Sequence, residues 1–293
     1  MLSILIPTHD YTCYKLVYDL HVQAEALGVP YEIIVAEDGS RSQVNIIANH
    51  KITDLSNCRH VVRREKSGPA EIRNILAREA IYDWLLFIDS DAKVEKSDFL
   101  HIYINNVNKA DVIVGGLYHQ KENFDPSRTL RFKYEKQADR HRSAAERSLV
   151  PYAHFSTFNF MIRRSVFLCI LFDKNCKDYG YEDALFGVEL ERRNVSLVHI
   201  DNALQHTGLD TNEKFISKAE TAIRTVISLD GKMQDKSHVE NAYNKLKSLH
   251  LVWAMKVFHH LFGGLIRRNL LSRNPSLFLF SLYKLGYYSI SKS

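Results

Sequence analysis

Short apolar runs and stretches of helical periodicity alternate along the first part of the chain. The apolar runs predict strands over Leu2–Pro7, Tyr31–Ala36, His60–Val62, Trp84–Ile88 and Asp111–Val114. The intervening periodicity predicts helices over Tyr14–Leu27, over Gln43–His50, from Gly68 onward and near Asp98–Val107. Such alternation is typical of βαβ units, so we expect an α/β fold with a mostly parallel sheet flanked by helices.

The pattern changes after the fifth predicted strand. Lys121–Ser148 is polar, with a helical middle over Thr129–Glu146. Its charges favour a solvated helix face, and a role in binding an acceptor stays open. The remaining predicted elements before residue 200 are a strand over Phe155–Arg163, a helix over Arg164–Leu171, a helix from Glu182 to Arg193 and a strand over Val195–Ile200.

Acidic residues follow two of the predicted strands. Asp38 comes just after the second strand, and Asp89 and Asp91 come just after Trp84–Ile88. Because the carboxyl ends of parallel strands lie along one edge of a sheet, these acids are expected close together. Two carboxylates can hold a divalent cation, and the cation can hold a diphosphate. The alternative is structural: Asp89 begins a turn, and Asp91 caps the helix near Lys96–Asn106.

Four segments in this order resemble the nucleotide-sugar glycosyltransferases of family 2, which have the GT-A fold. They are Ser3–Thr8, Glu32–Ser40, Gly68–Asn74 and the DxD element Asp89–Asp91. The resemblance covers roughly residues 2–208. It implies a Rossmann-like GT-A domain, which we place over residues 1–212; the change of pattern after Asn212 predicts a C-terminal helical region over residues 213–293.

The resemblance also implies roles for individual residues. Pro7 and Thr8 would line the pocket for the nucleobase. Asp38 would bond the base, which is uracil in the favoured UDP-sugar donor, since a carboxylate accepts from its N–H. Asp91, together with Asp89, would meet a divalent metal on the diphosphate. Arg73 lies early in the Gly68 helix; it either reaches the diphosphate or forms an ion pair with one of the acids.

An acid pair stands at the start of a later predicted helix, between two glycines. Glu182 and Asp183 would, on the structural interpretation, only favour the helix N-terminus. The resemblance implies that Asp183 is the general base for the acceptor hydroxyl and that Glu182 bonds the acceptor or the sugar. His206, which a structural role would also explain, matches a metal-ligating histidine of related enzymes. Two carboxylates and an imidazole suit Mn²⁺ better than Mg²⁺.

The last part of the chain differs in charge and in pattern. The formal net charge is +5, yet residues 241–293 contain eight Lys and Arg and no Asp or Glu. Amphipathic helices are predicted over Glu213–Leu229, Ser237–Leu249 and Leu251–Ile266. The last carries a stripe of Leu251, Ala254, Met255, Phe258, Leu261, Phe262 and Leu265. These helices either pack on the catalytic body or contact an anionic membrane surface.

Together these features predict an inverting glycosyltransferase of hexosyl or N-acetylhexosaminyl type that acts in polysaccharide or glycoconjugate synthesis. The expected partners are a nucleotide-sugar donor and a saccharide or lipid-linked acceptor, and the slightly acidic body argues against nucleic acid. The competing hypothesis is a nucleotide-sugar-binding protein with a degenerate site. Four scattered cysteines and the lack of a signal-peptide pattern at Met1 predict a cytoplasmic protein, peripheral on the inner face of the membrane if the tail binds lipid.

Overall fold

The computed structural model describes residues 1–119, 122, 125–139, 142–176, 180–229 and 237–292. Its contacts separate the chain into two compact units. Unit 1 comprises Met1–Tyr118, His141–Lys177 and Glu182–Gly208. Unit 2 comprises His119–Arg140, Asp178–Tyr181 and Leu209–Ser293, so it takes in two internal segments and residues 209–212 from before the predicted boundary.

The structure contains strands and helices in the alternating order that the sequence predicts. The strands are β1 (Leu2–Thr8), β2 (Tyr31–Asp38), β3 (Cys58–Arg63), β4 (Trp84–Ile88), β5 (Ala92–Lys93), β6 (Val112–Val114), β7 (Leu117–His119), β8 (Asn159–Arg163), β9 (Leu197–His199) and β10 (Leu204–His206). The helices are α1 (Tyr14–Leu27), α2 (Gln43–His50), α3 (Pro69–Glu79), α4 (Phe99–Ile104), α5 (Thr129–Asp139), α6 (Ala144–Arg147), α7 (Arg164–Ile170), α8 (Glu182–Arg192), α9 (Asn212–Ser228), α10 (His238–Ser248), α11 (Val252–Leu270) and α12 (Leu277–Ser291).

The main sheet lies in unit 1 and is mostly parallel, as predicted. Its seven strands have the order β3-β2-β1-β4-β8-β6-β9. Strand β8 runs antiparallel to both of its neighbours, β4 and β6. The apolar run over β8 does not reveal this direction, because a strand buried on both faces has the same composition whichever way it runs.

The centre of the sheet is strand β4. All five of its residues are buried, and the ring of Phe87 stacks on Phe160 of β8 and on Phe167 of α7. Aromatic pairs of this kind add to the stabilisation from area burial. The end of β4, where the acidic residues follow, is therefore fixed by a packed core.

A second, smaller sheet was not predicted from the sequence. It has the order β5-β10-β7, and His206 of β10 pairs with Ala92 of β5 in antiparallel register. The sequence pattern placed His206 after a strand, whereas it is the last residue of one. This pairing brings the chain around His206 next to the chain that follows Asp91.

Some predicted boundaries are wrong. The predicted helix over Thr129–Glu146 is two helices, α5 and α6, with residues 140 and 141 between them outside the described part. Ser143 caps α6 in a capping box with Glu146, which explains why a new helix starts there. The predicted strand over Phe155–Arg163 begins only at Asn159. Of the polar segment Lys121–Ser148, residues 121, 123 and 124 also lie outside the described residues.

Unit 2 is built from helices around an apolar core. The core residues are Leu130, Phe215, Ile216, Ile266, Leu270, Phe280 and Tyr283. Helix α11 contributes Gly263, Ile266 and Leu270 to its buried face. Among the described residues, no single helix is long and apolar enough to span a bilayer, although α10 and α11, bent by 118° at their junction, meet the criterion as a pair.

Candidate active site

Asp38, at the carboxyl end of β2, organises the loop that leads into α3. Its Oδ1 accepts hydrogen bonds from the backbone N–H and the hydroxyl of Ser67, each at 2.7 Å, and its Oδ2 accepts from the N–H of Gly68 at 2.8 Å. Gly68 has a φ of 93°, a conformation that favours glycine, and Pro69 then starts the helix. The predicted bond from Asp38 to a nucleobase stays a prediction; the structure adds this anchoring role.

Glu37 precedes Asp38 and is fully buried. It accepts hydrogen bonds from Asn49 Nδ2 at 2.8 Å and from Ser40, and it lies 3.2 Å from His60 Nε2. Burial opposes the charge of Glu37, but these hydrogen bonds outweigh it and hold its pKa below the usual value. Asn49 also bonds to the backbone at Tyr11, so the network ties the loops after β1 and β2 together.

The first prediction concerns Asp38→Asn. The substitution replaces one carboxylate oxygen by an amide nitrogen that cannot accept a hydrogen bond, so at least one N–H of the Ser67–Gly68 loop loses its acceptor. We expect the free energy of unfolding to fall by about 1–3 kcal/mol and donor affinity to weaken, because the loop before α3 loosens. Urea unfolding and donor titration would measure both. Asp54→Asn, at an exposed position, is the control; equal stability of the two variants would contradict the anchoring role.

Asp89 follows β4 and forms an ion pair with Arg73 of α3. Arg73 is buried and donates from Nη2 to Asp89 Oδ1 and from Nη1 to the carbonyl of Pro69 at 2.7 Å. The structure therefore contains the ion pair that the sequence left as one of two options. Arg73 Nε is buried and has no hydrogen-bond partner among the described residues. Burial raises the pKa of Asp89; Arg73 opposes the rise and the neighbouring charge of Asp91 adds to it.

Asp91 lies in the turn between β4 and β5 and faces His206. Its Oδ2 is 2.9 Å from His206 Nε2, and its backbone carbonyl accepts from the N–H of Thr207 at 3.0 Å and from the Thr207 hydroxyl at 2.7 Å. Gly208 leaves room for this carboxylate, because a Cβ at this position would lie 2.1 Å from Asp91 Oδ2 and would force the carboxylate to shift. The helix-capping alternative for Asp91 is wrong, since Asp98 occupies the N-cap position of α4.

The predicted metal ligands assemble only in part. Asp91 and His206 are in contact, whereas Asp89 is held by Arg73. Within the part of the chain that the structure describes, no three His, Cys, Asp or Glu side chains are grouped so that they could hold a metal ion. The role of Asp89, Asp91 and His206 as a set of three ligands stays a prediction.

Asp183 is the second residue of α8, and Glu182 is the first. Gly187 lets this helix approach the loop before β8, because a Cβ there would lie 2.5 Å from the carbonyl of Tyr152. Asp183 Oδ1 accepts from the N–H of Ala184 at 2.7 Å. Burial raises the pKa of Asp183, while hydrogen bonding at the helix start and the positive charge of Arg73 oppose the rise. Arg73 therefore acts electrostatically on both Asp89 and Asp183.

Pro7 and Thr8 are the last residues of β1, opposite Ala36 and Glu37 in β2. Strand β1 thus continues through the proline that was expected to end it. Thr8 is buried, and its hydroxyl donates to the carbonyl of Tyr11 at 3.2 Å. Both residues lie at the same sheet edge as Asp38, and their place in a nucleobase pocket stays a prediction.

Three residues of the site were missed in the sequence. Asn49 was seen only as part of a helix, and Thr207 and Gly208 only as neighbours of His206. Each acts on a residue far away in the chain, so no local pattern marks it. The glycine that closely follows His206 was the one available hint of a close approach.

The model of the family described as glycosyl transferase family 2 matches residues 3–171. This match covers more than half of the chain, so the chain belongs to glycosyl transferase family 2. No curated protein matches it.

Solved structures share the fold at low sequence identity. S. aureus TarS 1-349 is 16% identical with a TM-score of 0.51, and the match covers 99% of this chain and 90% of that chain. The mannosyltransferase PcManGT from Pyrobaculum calidifontis, in complex with GDP-Man and Mn²⁺, is 13% identical with a TM-score of 0.56, covering 99% of this chain and 86% of that one. GalNAc-T7 with UDP, GalNAc and Mn²⁺ is 14% identical with a TM-score of 0.53, and the match covers 77% of this chain and 47% of that chain. The predicted GT-A fold is confirmed.

Proposed function

We propose that the protein transfers a sugar from a nucleotide-diphospho-sugar, with UDP as the favoured nucleotide, to a hydroxyl of a saccharide or lipid-linked acceptor, and that it inverts the anomeric centre. The observation that carries the proposal is the gathering of Asp91 with His206, and of Arg73 with Asp89, just beyond the end of β4. Relatives of the same fold support it: TarS is known in complex with UDP-GlcNAc, and PcManGT with GDP-Man and Mn²⁺.

The proposal includes a divalent cation, with Mn²⁺ favoured over Mg²⁺. Asp91 and His206, whose Oδ2 and Nε2 atoms are 2.9 Å apart, would hold the ion, and a carboxylate with an imidazole suits Mn²⁺. When bound, the cation would offset the charge on the leaving diphosphate. Asp89, which Arg73 already holds, would act beside the ion rather than as a direct ligand, or would bind the ribose.

Asp183 is the proposed general base. A raised pKa makes its carboxylate more basic than an ordinary aspartate, which improves proton removal from the acceptor hydroxyl near neutral pH. Holding that hydroxyl in line with the anomeric carbon makes attack effectively unimolecular, and one such displacement inverts the centre. Glu182 would bond the acceptor or the sugar. The positive charge of Arg73 would stabilise the negative charge on the leaving nucleoside diphosphate.

The biological setting is part of the same proposal. The donated sugar would be of hexosyl or N-acetylhexosaminyl type, and the product would belong to a polysaccharide or glycoconjugate. Cys13, Cys58 and Cys169 are free thiols, which is the state expected in a reducing compartment. We therefore place the reaction in the cytoplasm.

The test is a donor-hydrolysis and donor-binding screen. UDP-glucose, UDP-galactose, their N-acetylamino forms and GDP-mannose are each incubated with the full chain in Mn²⁺, in Mg²⁺ and in excess chelator. We expect slow hydrolysis of at least one UDP-sugar in Mn²⁺ and its loss in chelator. Binding without turnover, in this assay and with candidate acceptors, would favour the nucleotide-sugar-binding alternative. Neither binding nor turnover of any donor would overturn both.

A further inference from the structure

Helix α11 of unit 2 has an outward face that is apolar. Trp253, Val257, Leu261 and Leu265 recur at every fourth position, so they lie along one side of the helix. They are 67%, 49%, 64% and 64% exposed, respectively. Four residues at this exposure in a row along about three helical turns form a continuous patch, unlike the scattered apolar residues of an ordinary surface.

This face coincides only in part with the apolar stripe that the sequence pattern predicted: Leu261 and Leu265 belong to both, whereas Trp253 and Val257 lie outside the stripe. The predicted stripe included Leu261, Phe262 and Leu265, which are all exposed. The helix instead packs through Gly263, Ile266 and Leu270, against α12 and the rest of the unit 2 core. The exposed leucines therefore contribute nothing to the core of unit 2, and their apolar surface is available to a partner.

A cation lies among the apolar residues. The exposed Arg268 lies three positions after Leu265, so it occurs on the outward face. Residues 241–293 contain no acidic residue; the carboxylates that pair with Arg267 and Lys292, those of Glu213 and Glu240, come from earlier in the chain. The face thus combines an aromatic residue, aliphatic residues and positive charge, which is the composition of a helix that lies in the interface of an anionic bilayer.

A second copy of the chain fits this face less well. An isologous contact through the outward face of α11 would set Arg268 against its own copy, and α11 has no carboxylate to pair with it. Anionic headgroups supply the missing negative charge, and the acyl boundary accepts the Trp253 and leucine side chains. We propose that the outward face of α11, defined by Trp253, Val257, Leu261, Leu265 and Arg268, binds the surface of an anionic lipid bilayer. This inference is independent of the proposed catalytic chemistry.

The chain contains its own reporter for this contact. It has two tryptophans; Trp84 is buried in β4, and Trp253 is on the proposed face. In the full chain with Trp84→Phe, all indole fluorescence comes from Trp253. Vesicles of phosphatidylcholine mixed with phosphatidylglycerol should shift this emission to the blue and carry the protein upward in flotation. Vesicles of phosphatidylcholine alone should do neither, and added salt should weaken the binding.

Variants assign the binding to the face. Leu261→Gln with Leu265→Gln should weaken vesicle binding about tenfold or more, because two leucines no longer enter the acyl boundary. Arg268→Gln should weaken it about fivefold, because one cation that meets the anionic headgroups is removed. The matched control is Val44→Gln with Ile47→Gln on α2 of unit 1, where the side chains are 78% and 66% exposed. Circular dichroism confirms folding, and donor hydrolysis, read separately, should be unchanged in all three.

Several results would overturn the proposal. The Trp84→Phe protein could show neither a shift of indole emission nor flotation with anionic vesicles. It could also bind neutral vesicles as well as anionic ones. Equal loss in the α2 control would remove the assignment to α11. A concentration-dependent dimer that the leucine double variant abolishes, without lipid binding, would identify a second copy of the chain as the partner.

Discussion

Asp183→Asn is expected to lower kcat by about 10²- to 10⁴-fold while donor affinity stays unchanged. The amide keeps the shape of the side chain and can still accept from the N–H of Ala184 through its oxygen, so α8 should begin as before. It cannot take a proton from the acceptor hydroxyl, and general-base catalysis contributes a factor of this size. Steady-state kinetics with saturating donor, together with calorimetric donor binding, separate the two quantities.

The same variant carries a stability test of the proposed role. The folded-state pKa of Asp183 is raised, chiefly by burial, so the ionised carboxylate costs stability once the pH is above its unfolded pKa. Asp183→Asn should therefore leave stability at neutral pH unchanged or increase it. A structural aspartate would show the opposite. Glu191→Gln, an exposed position on the same helix, is the control for both measurements. Loss of donor binding in Asp183→Asn would argue that Asp183 is not the base.

The pH dependence of the wild-type rate follows from the same shift. The base works only when it is deprotonated, so the rate should fall as the pH drops through the pKa of Asp183. Because that pKa is raised, the acidic limb should lie at higher pH than the limb of an ordinary aspartate.

Local features of the fold were predictable from the sequence because local chemistry determines them. Helix α1 ends where Gly28 adopts a φ of 63°, and β4 is an uninterrupted apolar run between polar residues. The direction of β8 and the small sheet around β10 were not predictable in this way. They depend on pairing between segments distant in the chain, and three-residue strands leave almost no periodic signal. The buried face of α11 likewise depends on what α12 presents to it.

The same distinction applies to the site. Asp38, Asp89 and Asp91 could be located because each closely follows an apolar run. The partners that define their chemistry come from elsewhere: Arg73 for Asp89, and His206 for Asp91 across 115 positions of sequence. The structure also gives Asp38 a role in holding the start of α3. That helix carries Arg73. Asp38 at the end of β2 therefore helps to position Arg73, which forms the ion pair with Asp89 after β4.

Gly208→Ala is the second variant with a large expected effect. The new Cβ would lie 2.1 Å from Asp91 Oδ2 and 2.9 Å from its Cγ. Asp91 cannot move its backbone away freely, because Thr207 holds its carbonyl through two hydrogen bonds. The carboxylate must therefore rotate away from His206. We expect Mn²⁺ affinity, measured by electron paramagnetic resonance, to fall by about 10- to 100-fold, with a matching loss of Mn²⁺-dependent turnover.

A double-mutant cycle distinguishes displacement of the Asp91 carboxylate from a general disturbance of the fold. If Gly208→Ala acts only through Asp91, then Gly208→Ala combined with Asp91→Asn should bind Mn²⁺ no worse than Asp91→Asn alone. Gly264→Ala on α11 is the control, because nothing lies within 4 Å of the added Cβ, and it should leave Mn²⁺ binding unaltered. Additive losses in the cycle would mean that Gly208 acts on something other than Asp91. Normal Mn²⁺ affinity in Gly208→Ala would mean that Asp91, in the position it has beside His206, is not a ligand of the ion.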